Sequence, residues 1–598
     1  MKRFFSFAMA AICAAALAAC GSANQPAANT PAPAASTAAP ETTAPAQTAA
    51  AETTTAAETT TAETAAADTA APAENAAAGD IMQPRTPYPD KITVTACRVL
   101  GLTSHFLPGD TQEDNPMVRW IEQQLNIDYK IAWAVEDSEY ANKLSLNLAA
   151  GDLPDMIPMR NAEYLIFRSL VDNNLAADLT EAFQKCAGEY MLDTFASYDN
   201  NNLSPFTING KMYAIGGGQY AYEHELTWVR KDWLDACGLE MPKTTDDIAK
   251  IITTFQEKKP GGKDVLGLPV TYNYPVNGYN SSFELSPVLY STGGAPKMWV
   301  RDDKGEIVYG SILPGMKQGL AILADWYQKG IIDKQFVTRT AAGSCPALVA
   351  SGQVGVWFGP WWNGYEINDL SANEPNAQVM CTSAPVTSDG KYRHSWPGPA
   401  GDFVTMNANY AHPEVVMKIL NLEYDMHRGF NKEAFDLWKP SLDNNISWTD
   451  AFLTQGLNCE YMDAVPRSGL IAKSFVETGA MSPDLQGTND MIRWGQSAED
   501  FAKTHTVNGS NWLDYVCRYI GANETRNPID VPVKPVFSYS TESMADLKPN
   551  LDKLEMEMYL SIIMGEKPVD YFDEFVTQWK AQGGDIETAE VKQLVDGK

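Results

Sequence analysis

Ile127-Asp128-Tyr129-Lys130-Ile131-Ala132-Trp133-Ala134-Val135-Glu136 is the stretch on which the fold turns. Ile127, Tyr129, Ile131, Trp133 and Val135 recur at every second position, and that period places them on one face of a β-strand. Downstream, Tyr140, Leu144, Leu148 and Ala149 mark one face of a helix that stops at Gly151, a natural C′ residue. Upstream, Pro116 opens a segment in which Met117, Trp120, Ile121, Gln124 and Leu125 recur at helical spacing. Before that, Ile92, Val94 and Ala96 alternate with polar residues as a further strand. Strand, helix, strand, helix is the order that builds a parallel α/β sheet.

The rest of the body reads in the same way. Val229 to Leu234 passes from a strand end into a short helix, with Asp232 at the expected N-cap and Gly238 at its end. Pro242 follows, and Thr244-Thr245-Asp246-Asp247 has capping-box spacing. Asp302-Asp303-Lys304-Gly305 sits between β-prone flanks from Trp299 to Tyr309, a hairpin signal. Pro413 and Glu414 open a helix with Val416, Ile419 and Leu420 on its apolar face. No internal repeat is evident. From residue 81 to 598 no apolar run approaches the roughly 20 residues of a membrane span. A body of this length implies two or more lobes of about 100–200 residues each.

The N-terminal region has a different character. Lys2 and Arg3 precede an apolar stretch from Phe4 to Ala19, the pattern of a secretory signal over residues 1–19. Leu17-Ala18-Ala19-Cys20-Gly21 resembles the bacterial lipobox, which implies lipidation of Cys20 as the mature N-terminus. The alternative is an ordinary signal peptide cut at an Ala-x-Ala-like site. Residues 20–80 are dominated by Ala, Thr, Pro and Glu, and from Ser22 onward hold no aromatic residue, Lys or Arg. Such a segment buries too little apolar surface to offset its ordering entropy and reads as a disordered tether.

A formal net charge of −30 argues against nucleic acid as a partner, and a polyanionic substrate fits it poorly. Beyond Cys13 and Cys20, the seven cysteines at 97, 186, 237, 345, 381, 459 and 517 show no CxxC and no metal-like spacing with histidine. They read as small buried hydrophobes, with disulfides left open for an exported chain. GxSxG and HExxH are absent, and the chain has only six histidines. Asp302, Asp303 and Glu306 lack the EF-loop pattern and read as a hairpin tip. No catalytic residue, metal or cofactor is expected.

A set of short motifs then carries a resemblance. Gly151-Asp152-Leu153-Pro154-Asp155-Met156-Ile157, Asn209-Gly210-Lys211-Met212-Tyr213-Ala214-Ile215, Val229 to Leu239 with Pro242-Lys243-Thr244, Ser351 to Gly355 with Gly359-Pro360-Trp361, and Ala411-His412-Pro413-Glu414 follow one another in order. Gly565-Glu566-Lys567-Pro568, Trp579-Lys580 and Gly583-Gly584 close the series. Together, from Lys91 to Glu587, they resemble bacterial extracellular solute-binding proteins of family 1, the maltose-binding-protein type, in the large lipoprotein branch that serves ABC sugar importers. Gly216 replaces the proline usual after the second motif.

The resemblance implies an α/β, two-lobe, periplasmic-binding-protein-like fold of type II, with a hinge and an interlobe ligand cleft. Residues 81–222 are the first part of lobe 1, 223–394 the first part of lobe 2, and 395–470 the return to lobe 1. Residues 471–598 belong mainly to lobe 2 and C-terminal helices. Gly216-Gly217-Gly218 lies near the first crossing and reads about equally as a hinge or a plain turn.

A sugar site needs aromatic plates for C–H faces and carboxylate, amide or guanidinium groups for hydroxyls. The chain has 15 Trp and 25 Tyr to supply plates. In Trp357-Phe358-Gly359-Pro360-Trp361-Trp362 four bulky rings broken by Gly-Pro cannot all enter one core. The resemblance places Trp361 in the site; Trp362 is taken with it, while Trp357 and Phe358 read as core. Arg160, Asn161 and Glu163 follow the Asp155 strand, at the sheet edge where α/β ligands sit, and Asp155 itself reads equally as a helix cap. Tyr222 and Glu223 fall at the expected crossing, where a solvated acidic hinge would look similar, and Trp396 near the return crossing.

The expected function is therefore capture of a carbohydrate, an oligosaccharide by resemblance, by a monomer lipid-anchored outside the cell and docking on ABC permease subunits. Peptide binding and sugar sensing are the non-enzyme alternatives. A glycosidase is the enzymatic one, since 75 Asp and Glu always allow a suitable carboxylate pair.

Overall fold

The computed structural model describes residues 80–597 except 102–103, 200, 341–342, 399–400, 445, 459 and 486. The expected signal, Cys20, the tether through residue 79 and Cys459 lie outside the described residues. In chain order the strands are β1 (Ile92–Leu100), β2 (Ile127–Glu136), β3 (Met156–Met159), β4 (Thr207–Ile208), β5 (Lys211–Met212), β6 (Ala214–Gly216) and β7 (Leu226–Arg230). Then come β8 (Trp299–Arg301), β9 (Ile307–Tyr309), β10 (Val356–Gly359), β11 (Val379–Thr382), β12 (Tyr392–Ser395), β13 (Phe403–Met406) and β14 (Asp530–Val533).

The first sheet has the order β2-β1-β3-β13-β6. β1 runs parallel to β2 from Ile92 opposite Ile127 to Leu100 opposite Glu136, and parallel to β3 through Ala96 and Met156. The helix between β1 and β2, Pro116–Leu125, starts where Asn115 Oδ1 accepts from the amides of Met117 and Val118. The next helix, Asp137–Ala150, stops at Gly151 with φ 68°. Its buried face is Tyr140, Leu144 and Asn147, rotated from the expected Leu148 and Ala149. The rotation lets the Asn147 amide donate to the Asp152 carbonyl and close the turn into β3. The sheet is mixed rather than wholly parallel, because β13 lies antiparallel to both β3 and β6. β13 returns from the other sheet and not from a local strand–helix–strand crossover, so nothing imposes a parallel direction on it.

The second sheet, β10-β7-β11, is antiparallel throughout. Asp232 does not cap the following helix, Lys231–Cys237. It is drawn instead to the buried Arg230 guanidinium at 2.7–2.9 Å, which also takes Glu374 and lies over Trp233. Thr244 and Asp247 do form a capping box at the next helix, and Asp302 Oδ1 accepts the Lys304 and Glu306 amides at the β8–β9 turn.

Each sheet organises its own apolar core. Trp120, Ile121, Ile127, Tyr129, Val416 and Leu420 pack around the first. Val229, Leu320, Trp326, Tyr559, Phe575 and Trp579 pack around the second, so the helices Met544–Ile563, Tyr571–Trp579 and Asp585–Asp596 build on that side. The six described cysteines are free thiols, five of them buried. No described helix is long and apolar enough to cross a membrane.

The chain passes between the sheets at residues 216–226 and again at 395–403. The Gly217 amide donates to the Asp402 carbonyl at 2.9 Å and the Gly401 amide to the Gly217 carbonyl at 3.0 Å, pairing the two passages. None of Gly216, Gly217 and Gly218 has positive φ. Their requirement is space. A Cβ at Gly216 would lie 2.3 Å from Phe206 Cε2, one at Gly217 2.7 Å from the Asn458 amide nitrogen, and one at Gly218 1.9 Å from Tyr198 Cζ. The plain-turn reading is thus replaced by close packing. Gly218→Ala should cost about 1–3 kcal/mol in urea unfolding. Removing the opposing ring as well, in Gly218→Ala with Tyr198→Ala, should return part of that loss; strict additivity of the two would contradict the contact.

Candidate functional site

The first passage delivers Tyr220 and Glu223 to a cavity of about 390 Å³, within the usual range for small-ligand pockets. β10 runs through Pro360 into a 3-10 turn, Trp361–Tyr365, which sets Trp361 on the wall. The first-sheet side contributes Trp438, His427 and Glu460. Thr488 caps the helix Asn489–Thr504, which supplies Asp490, Met491 and Trp494. The last wall residue, Arg518, stands on a π-helical segment, Tyr515–Ala522, a geometry often found at functional sites.

Arg518 is held between two indoles. Its guanidinium carbon lies 4.2 Å from the Trp361 ring centre and 3.9 Å from that of Trp494. Cation–π attraction of roughly 0.5–2 kcal/mol per desolvated pair favours this stack. Glu223 Oε2 accepts from Asn280 Nδ2 at 3.0 Å, and Asn280 Oδ1 accepts from the Trp362 indole at 2.7 Å. Trp362 therefore positions Glu223 through Asn280. Burial pushes the Glu223 carboxyl up to about 7, against the opposing influence of the Trp361 indole N–H and the Arg518 charge. Burial likewise pushes Glu460 up to about 7, with Arg428 opposing. Glu460 Oε2 and Arg518 Nε have no hydrogen-bond partner. Buried polar groups rarely go unpaired, and these two stand on the wall of one cavity.

A second cavity, of about 360 Å³, is lined by Gln219, Asn161, Trp396, Trp299, Tyr309, Trp579 and Glu587 among others. Tyr222 has φ 67°, a strained conformation for a tyrosine. Its ring meets Trp396 edge-on at 5.0 Å and packs in the cluster that holds Trp361.

With this geometry in hand, comparison with known proteins is decisive for the family. Residues 112–422 match the model of the bacterial extracellular solute-binding protein family. The chain belongs to that family. Among curated relatives, it is 24% identical over 248 residues to the fructooligosaccharide ABC transporter substrate-binding protein FusA of Streptococcus pneumoniae, covering 40% of this chain and 45% of FusA. It is 26% identical over 239 residues to lipoprotein LipO of Bacillus subtilis, covering 39% and 45%. The chain thus spans about half the length of the curated relatives it matches. The solved HMO-binding, ABC-transporter-associated solute-binding protein of Bifidobacterium longum infantis shares the fold, with TM-score 0.57 and 15% identity over 85% of this chain and 99% of that one. The two-lobe α/β solute-binding fold follows, and the family is one of binding proteins rather than enzymes.

In this solute-binding protein the expected site residues are divided. Trp361 and Glu223 line the first cavity, Asn161 and Trp396 the second, and Tyr222 packs close to both groups. Trp357 and Phe358 are core, 0% and 2% exposed. Arg160 and Glu163 depart from expectation. The Glu163 carboxylate accepts from the Arg160 amide, Nε and Nη2 at 2.8–3.2 Å, closing a local capping box, and Arg160 also pairs with Asp137. Two opposite charges three residues apart satisfied each other, and neither lines either large cavity. Asp155 caps nothing; its Oδ2 accepts from Thr95 N and Oγ1, tying β3 to β1. No sequence signal marks Arg518, Trp494, Glu460 and Asp490, which also line the first cavity. They come from helices and loops without a motif, and only the folded architecture gathers them.

The raised carboxyls have a consequence for stability. Below about pH 4.5 they are protonated whether folded or unfolded; between about 4.5 and 7 the folded state holds the proton that the unfolded chain releases. Each therefore makes the protein less stable as pH rises through that window, by on the order of 3 kcal/mol per group. Glu460→Gln should raise the ligand-free melting midpoint at pH 8 more than at pH 5. An equal rise at both pH values would contradict the buried-acid assignment.

Proposed function

We propose that this protein captures an oligosaccharide outside the cell and presents it to the permease subunits of an ABC importer, working as a monomer tethered through an acylated Cys20. The observation that carries the reading is the first cavity. Indole faces suited to sugar C–H surfaces stand beside carboxylates and a guanidinium suited to hydroxyls, where the first passage between the sheets runs along the wall. Family membership supports the transport role, and the name of the fructooligosaccharide-binding relative supports the ligand class. The name of the lipoprotein relative supports the anchor. In the second cavity Asn161 and Trp396 offer an amide and a ring of the same kind, so a ligand longer than a disaccharide can be met at more than one place.

Trp361 carries the stacking in this reading. Ligand at a hundred times its dissociation constant adds about 2.7 kcal/mol of apparent stability, so thermal shifts against monosaccharides, oligosaccharides and short peptides identify the class. One oligosaccharide class should shift the protein and be recovered uncleaved, and Trp361→Ala should weaken its binding by about 30-fold or more. Shifts with peptides alone, cleavage of the sugar, or undiminished affinity in Trp361→Ala would each overturn the proposal.

A further inference from the structure

One residue beyond Glu223, the first passage carries His224, which is fully buried. Neither of its ring nitrogens has a hydrogen-bond partner. An imidazole can leave one nitrogen bare at modest cost, but leaving both the N–H and the lone pair unpaired in a dry interior costs the full desolvation of each. Stacked on it at 3.6 Å between ring centres is His394 of β12, 2% exposed. β12 pairs in parallel with β14, which brings Asp530 opposite Tyr392 and next to the two rings. Asp530 Oδ2 accepts the Asn527 amide at 2.9 Å, while Oδ1 has no well-formed hydrogen bond, the Ser383 hydroxyl near the carboxyl being likewise unpaired. One ligand atom from each of His224, His394 and Asp530 lies within 4.8 Å of the others, the only such trio found among the described residues.

We propose that His224, His394 and Asp530 form a binding site for one divalent transition-metal ion of the zinc type. Imidazole nitrogens select such ions over calcium and magnesium, which prefer shells of oxygen. Bonds of about 2.0–2.2 Å hold the donors of a tetrahedral ion roughly 3.4 Å apart, so the donor atoms close by up to about 1.4 Å while the two imidazoles tilt out of their stack to aim at one ion. Three protein donors leave a fourth position for water. His394 already has the supporting contact that ligating histidines show: its Nδ1 lies 2.7 Å from the Ser395 carbonyl, so it donates there and turns the Nε2 lone pair free. The ion would pair the orphaned His224 nitrogen and the orphaned Asp530 oxygen together.

Its place in the fold gives the site a role. Ligation ties the first passage to the β12–β14 pair and fixes the backbone that presents Glu223 to the first cavity. None of the three residues lines that cavity, so the metal is structural with respect to the ligand. The inference stands on these side chains and not on the oligosaccharide reading.

The test is titration of the chelator-stripped, full-length protein with Zn²⁺ against a colorimetric competitor, together with the absorption spectrum of the Co²⁺ form. One equivalent should bind per chain, raise the unfolding midpoint, and give tetrahedral cobalt bands without thiolate-to-metal charge transfer. Asp530→Asn, which keeps the shape of the side chain, and His224→Gln should each lower affinity at least tenfold while oligosaccharide-free far-UV spectra stay unchanged. Should His224→Gln fail to fold, Asp530→Asn and the wild-type cobalt spectrum decide alone. Absence of stoichiometric binding, a thiolate band, or wild-type affinity in folded Asp530→Asn would overturn the proposal.

Discussion

Everything around the first cavity depends on how a single guanidinium is held. Arg518 is the one positively charged side chain among the lining residues, because burial pushes the His427 imidazole down to about 3 and keeps it neutral. Its charge faces Glu223, Glu460 and Asp490 in a poorly solvated space, where an unpaired cation is costly. Stacking between Trp361 and Trp494 holds it without a full ion pair, so the carboxyls remain available. The same stack joins three separate pieces of chain: the turn after β10, the helix Asn489–Thr504 and the π-helical segment. A flat cation clamped by two rings is a rigid plate on which the rest of the wall is built.

The passages between the sheets obey a second constraint, close packing. Gly216, Gly217 and Gly218 sit where a side chain would strike Phe206, Asn458 or Tyr198, and the two passages are bonded through Gly217. That packing fixes the start of the segment whose far end presents Glu223. Asn280, reaching to both Glu223 and Trp362, fixes it from the other side. The carboxyl is thereby held in a dry position with its proton affinity raised.

Local signals in the chain anticipated the architecture well. Alternation in β2, the stop at Gly151 and the Thr244–Asp247 box are short-range features, and each stands in the structure as read. The place of Trp361 on a cavity wall, apart from Trp357 and Phe358, is legible because Gly359-Pro360 must turn the rings away from one core. Non-local competition was not legible. Arg160 and Glu163 look like ligand-facing charges until their mutual bonds are seen, and Asp232 looks like a cap until Arg230 is found buried beside it. The direction of β13 follows from a return between lobes that no local pattern records. Arg518, Glu460 and His224 acquire meaning only from neighbours hundreds of residues away in sequence or from elements with no motif.

The proposed function puts a sugar against Trp361. A crystal structure of the protein with an oligosaccharide that raises its melting midpoint tests it most directly. The expected result is a sugar ring lying flat on the Trp361 indole, with hydroxyls bonded to Glu223 and Glu460. A ligand seated wholly among Trp396, Trp299 and Trp579, with the first cavity holding only water, would contradict it.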